Sequence, residues 1–358
     1  MKKLRVGILG ATGMVGQRFV SLLAKHPWFE ITVLAASPRS AGKTYKAAVA
    51  GRWAMDTPIP PAVADLEVRA VEADLSSIAS AVDLVFCALD MDKEAIKKLE
   101  IAYAAAGVPV ISNNSAHRWT PDVPILMPEV NPQHLKLIDF QRQKRGFRKG
   151  LIAVKPNCSI QSYVFILSAL GQFEPTEVAV TSLQAISGAG QTFQSWPQMV
   201  DNVIPYIDGE EAKSETEPLK IWGKVHKGTI RPATSPAISA TCMRVPVTDG
   251  HLTDVRVNFR KKTSRPAILK ALADFGNPLA PLGLPSSPKK LIHYLAAEDR
   301  PQTKLDRDIE AGMAIAMGRL REDKHFDWRF IALSHNTLRG AAGGAVLMAE
   351  LLFKKGYL

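Results

Sequence analysis

The apolar positions of the chain fall into short runs parted by glycine, proline and charged residues, and their spacing changes from one half to the other. Residues 4–9 are a brief apolar run; glycines follow at 10, 13 and 16, and then Phe19, Leu22 and Leu23 recur at helical spacing. The pattern predicts a buried strand, a tight turn and a helix. Apolar runs at 30–36, 83–89 and 108–112 predict further strands, with a helix over 93–106 between the last two. Strands and helices alternating in this way predict an α/β domain with a doubly wound parallel sheet.

A basic, glycine-containing break at 140–150 marks the expected end of this first domain, 1–150. Beyond it the rhythm differs. Residues 151–154 read as a strand, and a helical pattern runs from Ser159 through Val164, Leu167 and Leu170. Strands predicted at 177–186, 238–247, 253–261, 313–320 and 328–333 dominate, which suits a mostly antiparallel α+β domain over 151–337. The last predicted helix, 338–353, opens with Arg-Gly-Ala-Ala-Gly-Gly, small residues that permit close packing, and is expected to lie back against the first domain within 338–358. Residues 263–305 contain no assignable motif.

Composition narrows the classes. The chain has 358 residues, 46% of them hydrophobic, which suits two domains with ample core. No apolar run approaches the roughly 18–20 residues needed to cross a bilayer, so no membrane partner is expected. The formal net charge is +11, but the basic residues are scattered without aromatic interleaving, and no nucleic-acid partner is expected. Three widely spaced cysteines, Cys87, Cys158 and Cys242, and the lack of an apolar leader give a reducing cytoplasm as the expected location.

The candidate chemistry begins with the glycine loop. Gly10, Gly13 and Gly16 allow a tight turn and close approach of the backbone to a pyrophosphate, and the residues opening the helix, Thr12, Met14 and Val15, share that position. The spacing is G-x-x-G-x-x-G, a weak pattern that its place after a first strand strengthens. At the end of the second strand a NAD site usually carries an acid for the ribose hydroxyl. Ser37, Arg39, Ser40 and Lys43 stand there instead, so NADP is the expected cofactor; a basic surface loop is the alternative. Cys158, in Lys-Pro-Asn-Cys-Ser, follows a strand and precedes a helix, a position that biases a thiol toward thiolate. It reads as a nucleophile or as a small buried hydrophobe. Four other pieces could join it: Gln184 to Gly190, Glu210 with Lys213 at i, i+3, Arg244, and His251 after a turn. Arg118, in a polar loop after a strand, is a candidate anion clamp.

Taken together these stretches resemble the aspartate-semialdehyde dehydrogenase family, in the branch shared by archaea, fungi and some bacteria. G-A-T-G-M-V-G, S-P-R-S-A-G-K-T-Y, S-N-N-S-A-H-R, P-N-C-S, Q-A-I-S-G-A-G, G-E-E-A-K, R-V-P-V with G-H, and H-N-T-L-R-G-A-A-G occur in the family's order. The resemblance implies a Rossmann-type NADP-binding domain and a catalytic and dimerisation domain. It implies NADPH-dependent reductive dephosphorylation of L-4-aspartyl phosphate to L-aspartate 4-semialdehyde, a step toward lysine, threonine and methionine. Cys158 would form the thioester, and His251 would be an acid/base catalyst near its ordinary pKa. Gln184 and Asn157 would orient the acyl group, Arg244 would hold the α-carboxylate, and Glu210 the α-ammonium. Arg118 and Lys213 would bind phosphate, Asn336 would meet the nicotinamide end of the cofactor, and Ser187 and Gly188 would also bind the cofactor. The family also implies a homodimer or homotetramer.

Reductases of other activated acyl groups share the glycine loop, the cysteine and the histidine. Glu210 argues against an N-acetylated substrate, whose amine carries no charge. Malonyl-CoA has a free carboxylate for Arg244, and its reduction is the alternative reading.

Overall fold

The computed structural model describes residues 2–358. Its first layer is a six-stranded parallel sheet in the order β3-β2-β1-β4-β5-β6. The strands are β1 (Leu4–Leu9), β2 (Phe29–Ala36), β3 (Val68–Ala70), β4 (Leu84–Cys87), β5 (Pro109–Ser112) and β6 (Leu151–Val154). Because side chains alternate across a strand, the sheet needs apolar residues on both faces. Ile8, Leu34, Phe86 and Ile111 face one side with Phe19; Leu9, Val33, Val85 and Val110 face the other with Ile96, Leu99 and Tyr103. The strand β6, assigned from the sequence to the second domain, pairs with β5 and completes this sheet. The basic break at 140–150 is a helix end and turn within the first domain, so the boundary falls after Val154.

The second domain carries a mixed six-stranded sheet in the order β10-β7-β11-β14-β13-β12. Its strands are β7 (Pro175–Gln184), β10 (Ala237–Arg244), β11 (His251–Phe259), β12 (Ile292–Leu295), β13 (Ile315–Glu322) and β14 (Trp328–Ser334), with β8 (Lys224–His226) and β9 (Thr229–Arg231) forming a separate ribbon. β10 runs parallel to β7 and β12 parallel to β13, while the other three pairings are antiparallel. The motif-free region 263–305 supplies the helix Arg265–Phe275 and the edge strand β12.

Two details of the topology build the site. The C-terminal ends of β7, β10 and β14 and the N-terminal end of β11 lie at one edge of the second sheet, in register as Arg244↔Gln184 and His251↔Ser334. The final helix is Ala342–Lys354, four residues shorter at its start than its sequence pattern suggests. It packs on the helix Met14–Leu23 and on β5. Residues 338–341 stay out of the helix, and a Cβ on Gly340 would stand 2.7 Å from Cys158 Cβ. The chain therefore passes directly against the cysteine before turning helical.

Candidate active site

At the end of β1 the glycines divide into two kinds. Gly10 has φ +88°, and a Cβ there would lie 2.2 Å from the Ala88 carbonyl oxygen; a Cβ on Gly16 would lie 2.1 Å from that of Gly10. These two are demanded by strand and helix packing. A Cβ on Gly13 would meet nothing closer than 3.6 Å, so its openness faces a cavity rather than the protein. The helix Met14–Leu23 starts at Gly13 with no side-chain cap and no acidic residue in its first turn, which leaves its N–H groups and dipole for an anion. Beside it opens a cavity of about 980 Å³ lined by Gly10, Thr12, Gly13, Ser37, Arg39 and Ser40. Lys43 and Arg52 also line it, the second a cation that sequence reasoning missed. Met14 and Val15 begin the helix without lining that cavity. The end of β2 carries no acid, but Glu72, just beyond β3, does face the cavity.

Cys158 sits in the loop that leaves β6. Lys155 continues the strand by donating its N–H to the Ser112 carbonyl. Asn157 then serves as the hub: its N–H reaches Glu217 Oε2 at 2.7 Å, its Nδ2 reaches both Glu210 oxygens, and its Oδ1 accepts the Ser159 N–H. The helix itself is Gln161–Ala169, so Cys158 precedes the first helical residue by three positions. That distance corrects the expectation of a thiolate bias. Burial, reinforced by the Glu210 carboxylate, pushes the thiol up to about 11, although Lys155, Arg118 and Arg244 pull the other way.

Facing the thiol is His251, the first residue of β11, with Nε2 3.4 Å from Sγ. Its Nδ1 accepts the Ala185 N–H at 3.1 Å, so the single hydrogen of the neutral ring resides on Nε2 and points at sulfur. Burial, with Arg244 nearby, depresses this imidazole to about 3. The expectation of a histidine near its ordinary pKa is thus corrected: a fully buried ring beside a guanidinium does not keep a proton.

Gln184 ends β7 and donates to Glu210 Oε2 at 3.3 Å; Arg244 ends β10 and donates from Nη1 to the Ala185 carbonyl at 2.7 Å. A Cβ on Gly188 would fall 2.7 Å from Arg244 Nη1 and 3.1 Å from His251 Cε1, so a side chain there would displace the Arg244 fork from its present place. Asn336 ties the edge together by accepting the Gly250 N–H and donating to Ser187 Oγ, both at 2.8 Å.

The helix Glu210–Ile221 lays one polar stripe along this loop. Glu210 binds Lys213 at 2.7 Å, and Ser214 lies 3.3 Å from Ser159 Oγ. Burial would raise the Glu210 carboxyl, but Lys213, Asn157 and Gln184 together hold it below its usual range and keep it anionic. One turn on, Glu217 accepts Arg118 Nη1 at 2.8 Å. Arg118 also donates to the carbonyls of Lys155 and Asn113, so three of its five donors fix the loop. Glu217 was missed by sequence reasoning, yet its spacing of seven from Glu210 puts both on one helix face.

Among the described residues no cluster suited to a metal ion occurs, and no helix is long and apolar enough to cross a membrane.

Comparison with known proteins points the same way. Residues 5–138 match the family described as "Semialdehyde dehydrogenase, NAD binding domain", and residues 167–339 that described as "Semialdehyde dehydrogenase, dimerisation domain". The chain is 45% identical to the aspartate-semialdehyde dehydrogenase of Archaeoglobus fulgidus over 98% of both chains. It is 42% identical to that of Aspergillus fumigatus over 99% of both. The crystal structure of aspartate semialdehyde dehydrogenase with NADP from Candida albicans superposes with a TM-score of 0.87 at 37% identity over the full length of both chains. With that similarity running through both domains, and with the cysteine, histidine, glutamine and arginine drawn together as described, the chain belongs to the aspartate-semialdehyde dehydrogenase family.

Proposed function

We propose that the protein catalyses the NADPH-dependent reductive dephosphorylation of L-4-aspartyl phosphate to L-aspartate 4-semialdehyde. The observation that carries this reading is the 3.4 Å approach of His251 Nε2 to Cys158 Sγ, at a sheet edge where Gln184, Arg244 and Glu210 converge. Sulfur attacks the acyl carbon, the C–O bond to phosphate breaks, and the thiol proton leaves with the phosphate, giving a thioester and HPO4²⁻. Bound NADPH supplies hydride to the thioester carbon. His251 donates its Nε2 hydrogen bond to the oxyanion that follows, and collapse of that oxyanion expels the Cys158 thiolate. The histidine acts as a neutral donor in this scheme, a narrower part than general acid/base catalysis.

The surrounding side chains suit the substrate. Arg244 offers a buried fork to the α-carboxylate, and the anionic Glu210 matches the α-ammonium. Gln184 and Asn157, both anchored on Glu210, border the acyl position. Lys213 and the two uncommitted donors of Arg118 supply positive charge for phosphate. Gly10, Thr12 and Gly13 border the cavity in which the pyrophosphate would dock, with Met14 and Val15 behind them opening the helix, Ser37, Arg39 and Ser40 suited to the 2′-phosphate, and Ser187, Gly188 and Asn336 suited to the nicotinamide end. Glu210 and the names of the full-length relatives weigh against malonyl-CoA reduction.

The family's reaction is a step toward lysine, threonine and methionine, and we assign the protein to amino-acid biosynthesis in the cytoplasm. Its second domain, matching a dimerisation family, supports a homodimer or homotetramer. The deciding experiment supplies L-aspartate 4-semialdehyde, NADP and phosphate and follows NADPH absorbance. Phosphate-dependent formation, abolished in Cys158→Ser, is the expected result; phosphate-independent activity, or activity surviving the substitution, overturns the scheme.

A further inference from the structure

The reaction needs an anionic sulfur, and the groups around Cys158 do not obviously provide one. His251 cannot take the thiol proton in its present tautomer, because Nε2 already bears hydrogen and Nδ1 is occupied by the Ala185 N–H. Glu210 is an anion and opposes a thiolate. Arg118 and Arg244 favour an anionic sulfur, but each is already engaged. Arg118 lies against Glu217, and Arg244 donates to the Ala185 carbonyl and is the fork assigned to the substrate carboxylate; Arg339, which bears on Lys155, is held bidentately by Glu129 at 2.7 and 2.5 Å.

Lys155 differs from all of these. Its side chain is buried, with the residue 3% exposed, and its Nζ has no hydrogen-bond partner. A buried amine left without a partner costs about 1–3 kcal/mol, so a feature of this kind needs a reason. The amine is wedged against the last helix: a Cβ on Gly344 would stand 2.4 Å from Lys155 Cε and 3.2 Å from Nζ. Four residues earlier on the same segment, a Cβ on Gly340 would stand 2.7 Å from Cys158 Cβ. Lysine and cysteine thus pack against one glycine-rich run, three residues apart in their own loop.

Resting on the reading of Cys158 as nucleophile, we propose that Lys155 is a positioning residue for that sulfur: its unpartnered buried amine gains a proton and becomes the cation that stabilises the Cys158 thiolate. In the resting state burial, with Arg339 next in effect and Arg118 also contributing, depresses the amine well below its ordinary range, while Cys158 and Glu129 pull it back up. The proton that the thiol loses is the one the amine gains, so thiolate and ammonium form together and each favours the other; the two groups titrate as a pair. That proton then leaves with the phosphate as the thioester forms.

The test is the pH dependence of Cys158 alkylation by iodoacetamide in the intact protein, with Cys158→Ser giving the background from buried Cys87 and Cys242. In Lys155→Met the alkylation midpoint is expected to move upward, slowing the reaction at pH 7 by about tenfold or more. A folded Lys155→Met with an unmoved midpoint overturns the proposal. Lys155→Arg, which carries a fixed charge, is expected to alkylate at pH 7 at least as fast as the wild type; slower alkylation also overturns it and serves if the Met variant does not fold. Loss of the nucleophile reading is distinguishable, since it would show as dehydrogenase activity persisting in Cys158→Ser.

Discussion

Glu217 and Asn157 are joined by a 2.7 Å hydrogen bond from the asparagine backbone N–H to carboxylate Oε2, and the other oxygen of Glu217 holds Arg118. One buried carboxylate therefore fixes the residue before the nucleophile and ties it to the loop that follows β5. Removing it strands a guanidinium among apolar and neutral groups. Glu217→Ala is expected to destabilise the protein by about 3–5 kcal/mol, read as a lower urea midpoint. An unchanged midpoint would mean that the ion pair contributes nothing and that the loop is held elsewhere.

The tautomer of His251 predicts a pH profile. With the ring depressed to about 3, it stays neutral across the working range, and kcat should show no limb near pH 6.5 that belongs to it. His251→Ala should lower kcat by about 10²–10³-fold, the usual loss for one donor to a developing oxyanion. His251→Gln, which keeps an N–H donor, should lose less. A limb near pH 6.5 in the wild type that disappears in His251→Gln would show instead that the ring does exchange protons during turnover.

Much of this arrangement could be read from the chain. The apolar run at 4–9 and the glycines after it gave the first strand and turn, because those positions are fixed by local sterics and by burial on both faces of the sheet. Cys158 lies in the loop that leaves β6 of the first sheet, and Gln184, Arg244 and His251 lie at strand ends that the second sheet's order brings together. What stayed hidden depends on partners distant in sequence. The protonation of His251 is set by a backbone N–H 66 residues away, and Glu217 acquires its part only by meeting Arg118, 99 residues away. The place of β6 was misread for a similar reason: four apolar residues carry no mark of which sheet they join.

Cofactor choice turns on the exposed cations beside the first cavity. Arg39 and Lys43 line it at the end of β2 and have no carboxylate partner there, whereas Glu72 approaches from beyond β3. A charge-assisted contact to the 2′-phosphate contributes about 1.5–3 kcal/mol. Arg39→Ala should therefore raise KM for NADP about tenfold to a hundredfold and leave KM for NAD nearly unchanged. Equal changes for both cofactors would place Arg39 on the shared part of the nucleotide.

Glu100 makes the last case, in the first domain behind β5. It is fully buried, it accepts the Ser112 hydroxyl at 2.5 Å through Oε1, and its Oε2 has no partner. Burial raises the carboxyl to about 7, although the Ser112 hydroxyl and the neighbouring Cys87 thiol pull the other way. His117 lies 3.9 Å away but gives no compensating charge, since burial depresses it to about 4. Because the folded value stands above the unfolded one near 4.5, the unfolded chain releases this proton first as pH rises. The stability that the protonated acid contributes is complete below pH 4.5 and declines until the folded group has itself ionised, near pH 7. Glu100→Gln keeps an acceptor for Ser112 and removes the titration. Its Tm relative to the wild type should improve between pH 5 and pH 8, by an amount equivalent to about 1–3 kcal/mol. A difference in Tm that is flat across that interval would show that Glu100 keeps its ordinary proton affinity in the fold.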